Sequence, residues 1–324
     1  MAIEVIRPGL AVSVQDLGRP GYYHIGIPLS GAMDRYAIMV ANLLIGNEEG
    51  AAGLEAAFLG PELRFDAPAL VAVTGAELPP RVDGSACPTW TAFSVRAGQV
   101  LSFDHLKQGA RAYIAVSGGI DVPSVLGSRS TYALGALGGM EGRSLRAGDV
   151  LPVGTARHAA REGRSLAPEL RPRNQQTATL RMVPGLYDFR VTKRAMERFF
   201  TDTWRVAPEA DRIGYRFRGG EKLEFVPRKQ PFGAGSDPSN IVDSCYPYGS
   251  VQIPGGTEPI VLHRDAVSGG GYFMVGTVIS ADMDLIGQMQ PHMTTRFAPV
   301  TLEQALEARQ ERNSLVKRMR GSLL

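Results

Sequence analysis

Short apolar runs rich in β-branched residues recur through the first half of the chain: AIEVI, GLAVSVQD, PALVAVTG, TAFSVRAGQVLSF, ARAYIAVSGGI and GDVLPVG. Their length and the turn residues that bound them predict strands. One segment breaks this rhythm. Between Gly31 and Gly46, residues Ala37, Met39, Val40, Leu43 and Leu44 fall at helical spacing, and Gly46 with Asn47 reads as a C-terminal stop. Asp34 and Asn42 lie two turns apart on roughly one face of that helix.

The pattern dissolves at ARHAAREGRSLAPELRPRNQQ, an Arg-rich polar stretch with two prolines that reads as an exposed linker over residues 157–176. Beyond it TATLRMVPG, RIGYRFRG, KLEFVP, GSVQIPG, EPIVLH and GYFMVGTVIS predict a second β-rich block, with a helix near Lys193 to Thr201. A last helix is expected from about Leu302 to Met319, with Leu302, Ala305, Leu306 and Leu315 packing on the body. The expected domains are therefore 1–156, a linker at 157–176, 177–300, and a helical tail at 301–324.

Composition narrows the class. Gly 38 and Pro 22 make up nearly a fifth of 324 residues, too many breakers for a helical bundle or coiled coil. With 44% hydrophobic and 21% charged residues, disorder is also excluded. A mainly β protein with a few helices in two β-rich halves is expected. Net charge is +3, and the segment from Arg157 to Arg173 alone supplies it, with five arginines and two glutamates. No broad basic face for nucleic acid is implied. The N-terminus lacks a signal-peptide pattern and no apolar run is long enough for a membrane span. The two cysteines stand in no metal or redox spacing, so a cytoplasmic, reduced protein without a metal site is expected.

HxxxH, CxxC, GxSxG and GxxxxGK[ST] are all absent, which removes the minimal parts of zincins, redox dithiols, common serine hydrolases and P-loop NTPases. Two regions carry polar groups in suggestive order. Near the N-terminus stand Gln15, Asp16, Arg19, Ser30, Asp34, Asn42 and Asn47. Each also has a structural reading: an Asp16–Arg19 turn ion pair, Ser30 as helix cap, Asp34 favouring the helix dipole. Such amides and carboxylates suit a polar substrate with paired donors and acceptors, such as an amide, lactam or ureido group. In the second half, Asp265 ends an apolar strand and precedes Ser268-GGGY-Phe273, whose glycines allow backbone to approach a ligand.

The order of these motifs is similar to that of the biotin-dependent carboxyltransferase family, also called allophanate hydrolase subunit 2. GLAVSVQDLGRPGYYHIGIPLSGAMDRYAIMVANLLIGNEEGAAGLEAAFLGPELRF resembles its opening, and RAYIAVSGGIDVPSVLGSRSTYALGALGGMEGRSLRAGDVL its next block. LRMVPG, DRIGYRFRG and GSVQIPGGTEPIVL continue it in sequence. Members are of two kinds: the C-type subunit of ATP-dependent 5-oxoprolinase and the carboxyltransferase region of urea carboxylase. The resemblance implies cyclophilin-like β-barrels. LHRDAVSGGGYF departs from the LADRQTTGGYP typical of oxoprolinase subunits, while DPSNIVDSCYPYGSVQI is closer to the urea carboxylase pattern.

The leading implication is a subunit of a heteromeric enzyme for ATP-dependent lactam hydrolysis of the 5-oxoprolinase type. The first alternative is a carboxyltransferase subunit moving CO₂ from carboxybiotin to urea or a related compound; the second is a non-catalytic binding or regulatory subunit. ATP would be used by the complex without a P-loop in this chain, and biotin would sit on a partner. The sequence has no AMKM-type biotin-lysine motif. A subunit-1-type chain resembling the B-type subunit of oxoprolinase is expected as partner, with a third component of LamB/YcsF type or a biotin carboxylase. The implied site adds Arg212, Tyr215, Asn240, Ser268, Gly270 and Gly271 to the N-terminal group. Asp265 would act as general base or substrate anchor, and Asn42 or Asn240 would hold a carbonyl.

Overall fold

A computed structural model describes residues 1–156, 158–173 and 177–323. The chain forms two compact units: Met1–Arg19 with Ser30–Asn174 and Ser314–Leu324, and Pro20–Leu29 with Gln175–Asn313. The two expected β-rich halves are present, but a short N-terminal segment is grouped with the second and the C-terminal turns with the first. No helix among the described residues is long and apolar enough to cross a membrane.

The first unit contains β1 (Ala2–Arg7), β2 (Ala11–Gln15), α1 (Arg35–Leu44), β3 (Gly53–Ala57), β4 (Glu62–Phe65), β5 (Ala69–Glu77), β6 (Pro80–Val82), β7 (Ser85–Ala86), β8 (Ala92–Val95), β9 (Val100–Phe103), β10 (Gln108–Val116) and β11 (Val150–Pro152). These strands form two antiparallel sheets, β11-β1-β4-β9-β6-β7 and β2-β3-β10-β5-β8. The second sheet is buried on both faces. Val71, Val73, Ala112, Ile114 and Val116 join Ile3, Leu63 and Phe65 in one core. Their alternates Ala72, Tyr113 and Ala115 face the cluster containing α1. That two-sided burial explains why β5 and β10 read as nearly continuous apolar runs.

The expected linker needs correction. Leu166 and Leu170 are buried in the same cluster as α1. The backbone is tied down as well: Leu166 N–H donates to the Trp90 carbonyl (3.1 Å) and Ala92 N–H to the Arg164 carbonyl (2.8 Å). Arg164 also donates to the Leu43 carbonyl at the end of α1 (3.0 Å), a basic C-terminal cap. Polar composition concealed two anchoring leucines. Arg157 and residues 174–176 of that stretch lie outside the described residues.

The second unit contains β12 (Thr177–Pro184), α2 (Lys193–Thr201), β13 (Trp204–Val206), β14 (Gly214–Arg218), β15 (Asn240–Cys245), β16 (Ser250–Gln252), β17 (Ile260–Leu262), β18 (Gly269–Tyr272), β19 (Met274–Val278), α3 (Met283–Gly287) and β20 (Thr294–Pro299). Seven strands close into a barrel, β12-β19-β16-β17-β14-β13-β20, sealed by a parallel β12–β20 pair. Its core is aromatic: Phe199 of α2 stacks on Phe297 at 4.8 Å beside Trp204, with Phe217 edge-on to Phe297. KLEFVP, expected as a strand, contributes only the isolated Val191–Phe225 bridge.

The last helix, α4 (Leu302–Leu323), begins as expected, but Leu302 and Leu306 are exposed. Val316, Met319 and Leu323 are the residues buried in the α1 cluster. The packing stripe is displaced toward the C-terminus.

Candidate functional site

Strand register builds a charged cluster at one end of the barrel. Gly214 of β14 pairs with Leu262 of β17. The antiparallel ladder therefore brings residues just before β14 beside those just after β17. His263 N–H donates to the Ile213 carbonyl and Asp265 N–H to the Arg212 carbonyl, each at 2.9 Å. Arg212 then grips the Asp265 carboxylate with two donors, Nε to Oδ2 at 2.8 Å and Nη2 to Oδ1 at 3.2 Å, a bidentate pair. Asp265, expected as general base or substrate anchor, is buried and held by Arg212.

Arg264, between these residues, was not singled out by the sequence motifs. It is 5% exposed, and its guanidinium lies over the Tyr248 ring at 4.6 Å from the centroid. Its Nε has no hydrogen-bond acceptor. Tyr23 completes the group: burial raises its phenol above the usual value, Arg264 pulls it down, and Asp265 pushes it up. The phenol thus stays protonated at neutral pH and can donate. Tyr215 is buried in the barrel, its hydroxyl 3.3 Å from the Met289 carbonyl.

The other expected residues of this half form a separate knot. Ser239 Oγ donates to Asp237 (2.7 Å) and accepts from Gly255 N–H (2.9 Å), while its carbonyl accepts from Phe273 N–H (2.9 Å). The PSNI, PGGTEP and GGGYF segments are joined there. Asn240 pairs with Tyr272 across β15 and β18, and its carbonyl accepts from Arg190 (3.0 Å). Gly270 and Gly271 belong to β18 and do not form an open loop. A Cβ on Gly270 would come within 3.1 Å of the Tyr246 ring, so close packing explains its size. The Ser268 carbonyl accepts from Tyr246 N–H (2.8 Å).

In the first unit most of the expected polar residues hold partners within the fold. Ser13, Glu55, Tyr113 and Thr74 form a row across β2, β3, β10 and β5. Glu55 accepts from Met33 N–H (2.9 Å) and the Tyr113 hydroxyl (2.8 Å), with Arg111 at 3.6 Å. Tyr113 in turn accepts from Asp34 N–H, and Thr74 donates to the Ala37 carbonyl. The row docks the start of α1. Burial first, then Glu55 and Asp34, keep the Tyr113 phenol well above its ordinary value. Sequence reasoning passed over Glu55 and Arg111, although a charge within GLEAA and ARAYIAV was a readable signal.

Asp34 caps α1, accepting from Ala37 N–H (2.9 Å); Ser30 does not cap it. The Asp16 carboxylate accepts from Gly18 N–H, Arg129 N–H and the Ser128 and Ser130 hydroxyls. Arg19 donates to the Ser130 carbonyl. Asn42 accepts from Asn47 (3.0 Å), and Asn47 accepts from Gly118 N–H (2.9 Å). Gln15 donates to Ser13 (2.9 Å), while its Oε1 and the Ser30 hydroxyl are buried without partners. Ser30 also has a positive φ of 50°. Asn47, Gly118, Gly119, Asp121 and Arg129 border a polar cavity of about 460 Å³.

The two β-rich units, one a closed seven-stranded barrel carrying this cluster, match the carboxyltransferase domain, subdomains A and B, over residues 25–299. The chain belongs to that family. It is 34% identical to the 5-oxoprolinase C-type subunit of Escherichia coli, covering 95% of this chain and 94% of that protein. It is 32% identical to urea amidolyase of Saccharomyces cerevisiae, covering all of this chain and 18% of that protein. The crystal structure of Kluyveromyces lactis urea carboxylase superposes with a TM-score of 0.91 at 33% identity, over all of this chain and 30% of that one. The chain thus spans about a fifth of the urea amidolyase but nearly the whole of the oxoprolinase subunit.

Proposed function

We propose that this chain is the C-type subunit of a heteromeric enzyme that hydrolyses a lactam with ATP. The observation that carries this reading is the end-to-end correspondence with the same subunit of 5-oxoprolinase, 94% of that protein's length in Escherichia coli and 97% in Haemophilus influenzae. In the reaction water adds to the ring carbonyl and the C–N bond breaks, leaving an amine and a new carboxylate. ATP supplies the activation of the carbonyl and is assigned to partner chains. This chain's Arg212, fixed by Asp265, would donate to the polarised oxygen. Fixed donors of that kind stabilise developing negative charge. The partners are a subunit-1-type chain and a LamB/YcsF-type component.

A second reading is favoured by the TM-score of 0.91 over the whole chain with urea carboxylase. There the same barrel end would serve carboxyl transfer, with biotin and its carboxylase on other components. Co-purification with the products of neighbouring genes, followed by ATP hydrolysis assays, tests both. Stimulation by 5-oxoproline supports the lactam reading. Stimulation by urea with a biotinylated partner replaces it with carboxyl transfer. Complex formation with neither activity points to a binding or regulatory subunit.

A further inference from the structure

We infer that Arg264 is the carboxylate-binding residue of a small-molecule subsite at the end of the β14–β17 pair. Three observations carry the inference. Arg264 is 5% exposed, so its charge is largely withdrawn from water, a costly state unless something compensates it. The carboxylate next to it in sequence, Asp265, is already gripped by Arg212 through two hydrogen bonds. What remains on Arg264 is the face of Tyr248 at 4.6 Å and an Nε with no acceptor.

A cation–π contact orients a guanidinium without consuming its donors. The Asp211 carboxylate at the same end of the barrel is turned to the Ile213 and Gly214 N–H groups, each at 2.9 Å. A planar, monovalent carboxylate matches the fork of donors, and the Tyr23 phenol, kept protonated by burial, is available as an additional donor. Arg190 is also buried and has an Nε and an Nη1 without partners, but its Nη2 donates to the carbonyls of Pro238 (2.9 Å) and Asn240 (3.0 Å) and so fastens a loop.

Such a carboxylate could come from a lactam acid or from an N-carboxylated ureido compound. The inference rests on the proposed function only for choosing between them. Calorimetric titration of the full chain, alone and in its complex, would compare 5-oxoproline with neutral 2-pyrrolidinone, and allophanate with neutral urea. In at least one pair the acid is expected to bind roughly 10- to 100-fold more tightly, the range for hydrogen bonds to charged groups. Arg264→Gln should erase that preference and Arg264→Lys retain part of it. Neither variant should lower Tm by more than a few degrees, because the free chain loses only the contact of the guanidinium with the Tyr248 ring.

No acid preference in either pair, or a preference that survives Arg264→Gln, overturns the assignment. So does a fall in Tm of several degrees in both variants, which marks a structural cation. A preference confined to allophanate keeps Arg264 and removes the lactam reading. Stimulation of ATP hydrolysis by 5-oxoproline that is unchanged in Arg264→Gln does the reverse.

Discussion

Under α1 and at the barrel end the same residue types meet opposite fates. In the first unit Asp16, Asp34, Glu55, Asn42 and Asn47 are buried, and their acceptors meet backbone or side-chain donors within the same unit. In the second, Asp265 is consumed by Arg212 while Arg264 is left with an aromatic face and no anion. Polar residue type therefore did not separate architecture from chemistry. A folded chain satisfies nearly all of its buried polar groups, and the exceptions fall in both units: Gln15 Oε1 and the Ser30 hydroxyl in the first, Arg264 Nε in the second.

The comparison breaks if the first-unit network proves dispensable. Asp16→Ala strands four donors at once and is expected to cost about 3–5 kcal/mol, the range for breaking a buried charged partnership. Urea denaturation followed by circular dichroism measures it; a loss below about 1 kcal/mol would put Asp16 back among candidate ligand contacts. Asp265→Asn removes a charge but keeps shape, so Arg212 loses its fixed orientation. In the reconstituted complex we expect turnover to fall on the order of 10²-fold, as misplacement of a positioning group typically does. An unchanged kcat with only a raised KM would make Arg212 a binding group alone. Asp34→Ala should cost about 1 kcal/mol, the usual value of a helix N-cap, measured by the same denaturation.

Much of this architecture was legible before any coordinates. The strands from Ala2, Ala69, Gln108 and Thr177 and the helix Lys193–Thr201 follow from local pattern, because period and turn chemistry are local properties. β3, β4, β6, β7, β13, β15 and β20 were missed; they are short, or polar on one face, and most exist through partners distant in sequence. The site was half legible. Asp265 and Arg212 stood out as polar residues beside apolar strands, but their pairing depends on the register of β14 against β17. Arg264 carried no motif of its own, since its lack of an acceptor is visible only in three dimensions. Motif position gave no sign that Asp16 and Asn47 already hold partners within the fold.

The finest test of the satisfied half is an ion pair near its surface. Arg143 grips Asp149 through Nη1 to Oδ2 at 2.8 Å and Nη2 to Oδ1 at 2.9 Å, and Arg146 N–H adds a third donor at 2.7 Å. The bidentate geometry parallels Arg212–Asp265. Hydrogen bonding from Arg143, the largest cause, holds the Asp149 carboxyl below its ordinary range against an opposing effect of burial. A group whose folded pKa is depressed stabilises the fold above its unfolded value, near 4, and loses that contribution as pH falls through the folded value. Asp149→Asn should therefore be less stable than the parent at pH 7, by a small margin, and the gap should narrow steadily below about pH 4. Paired urea midpoints from pH 7 down to pH 3 would reveal this. A gap that stayed constant with pH would mean that the asparagine had lost packing alone, and that this pair owes its place in the fold to shape rather than charge.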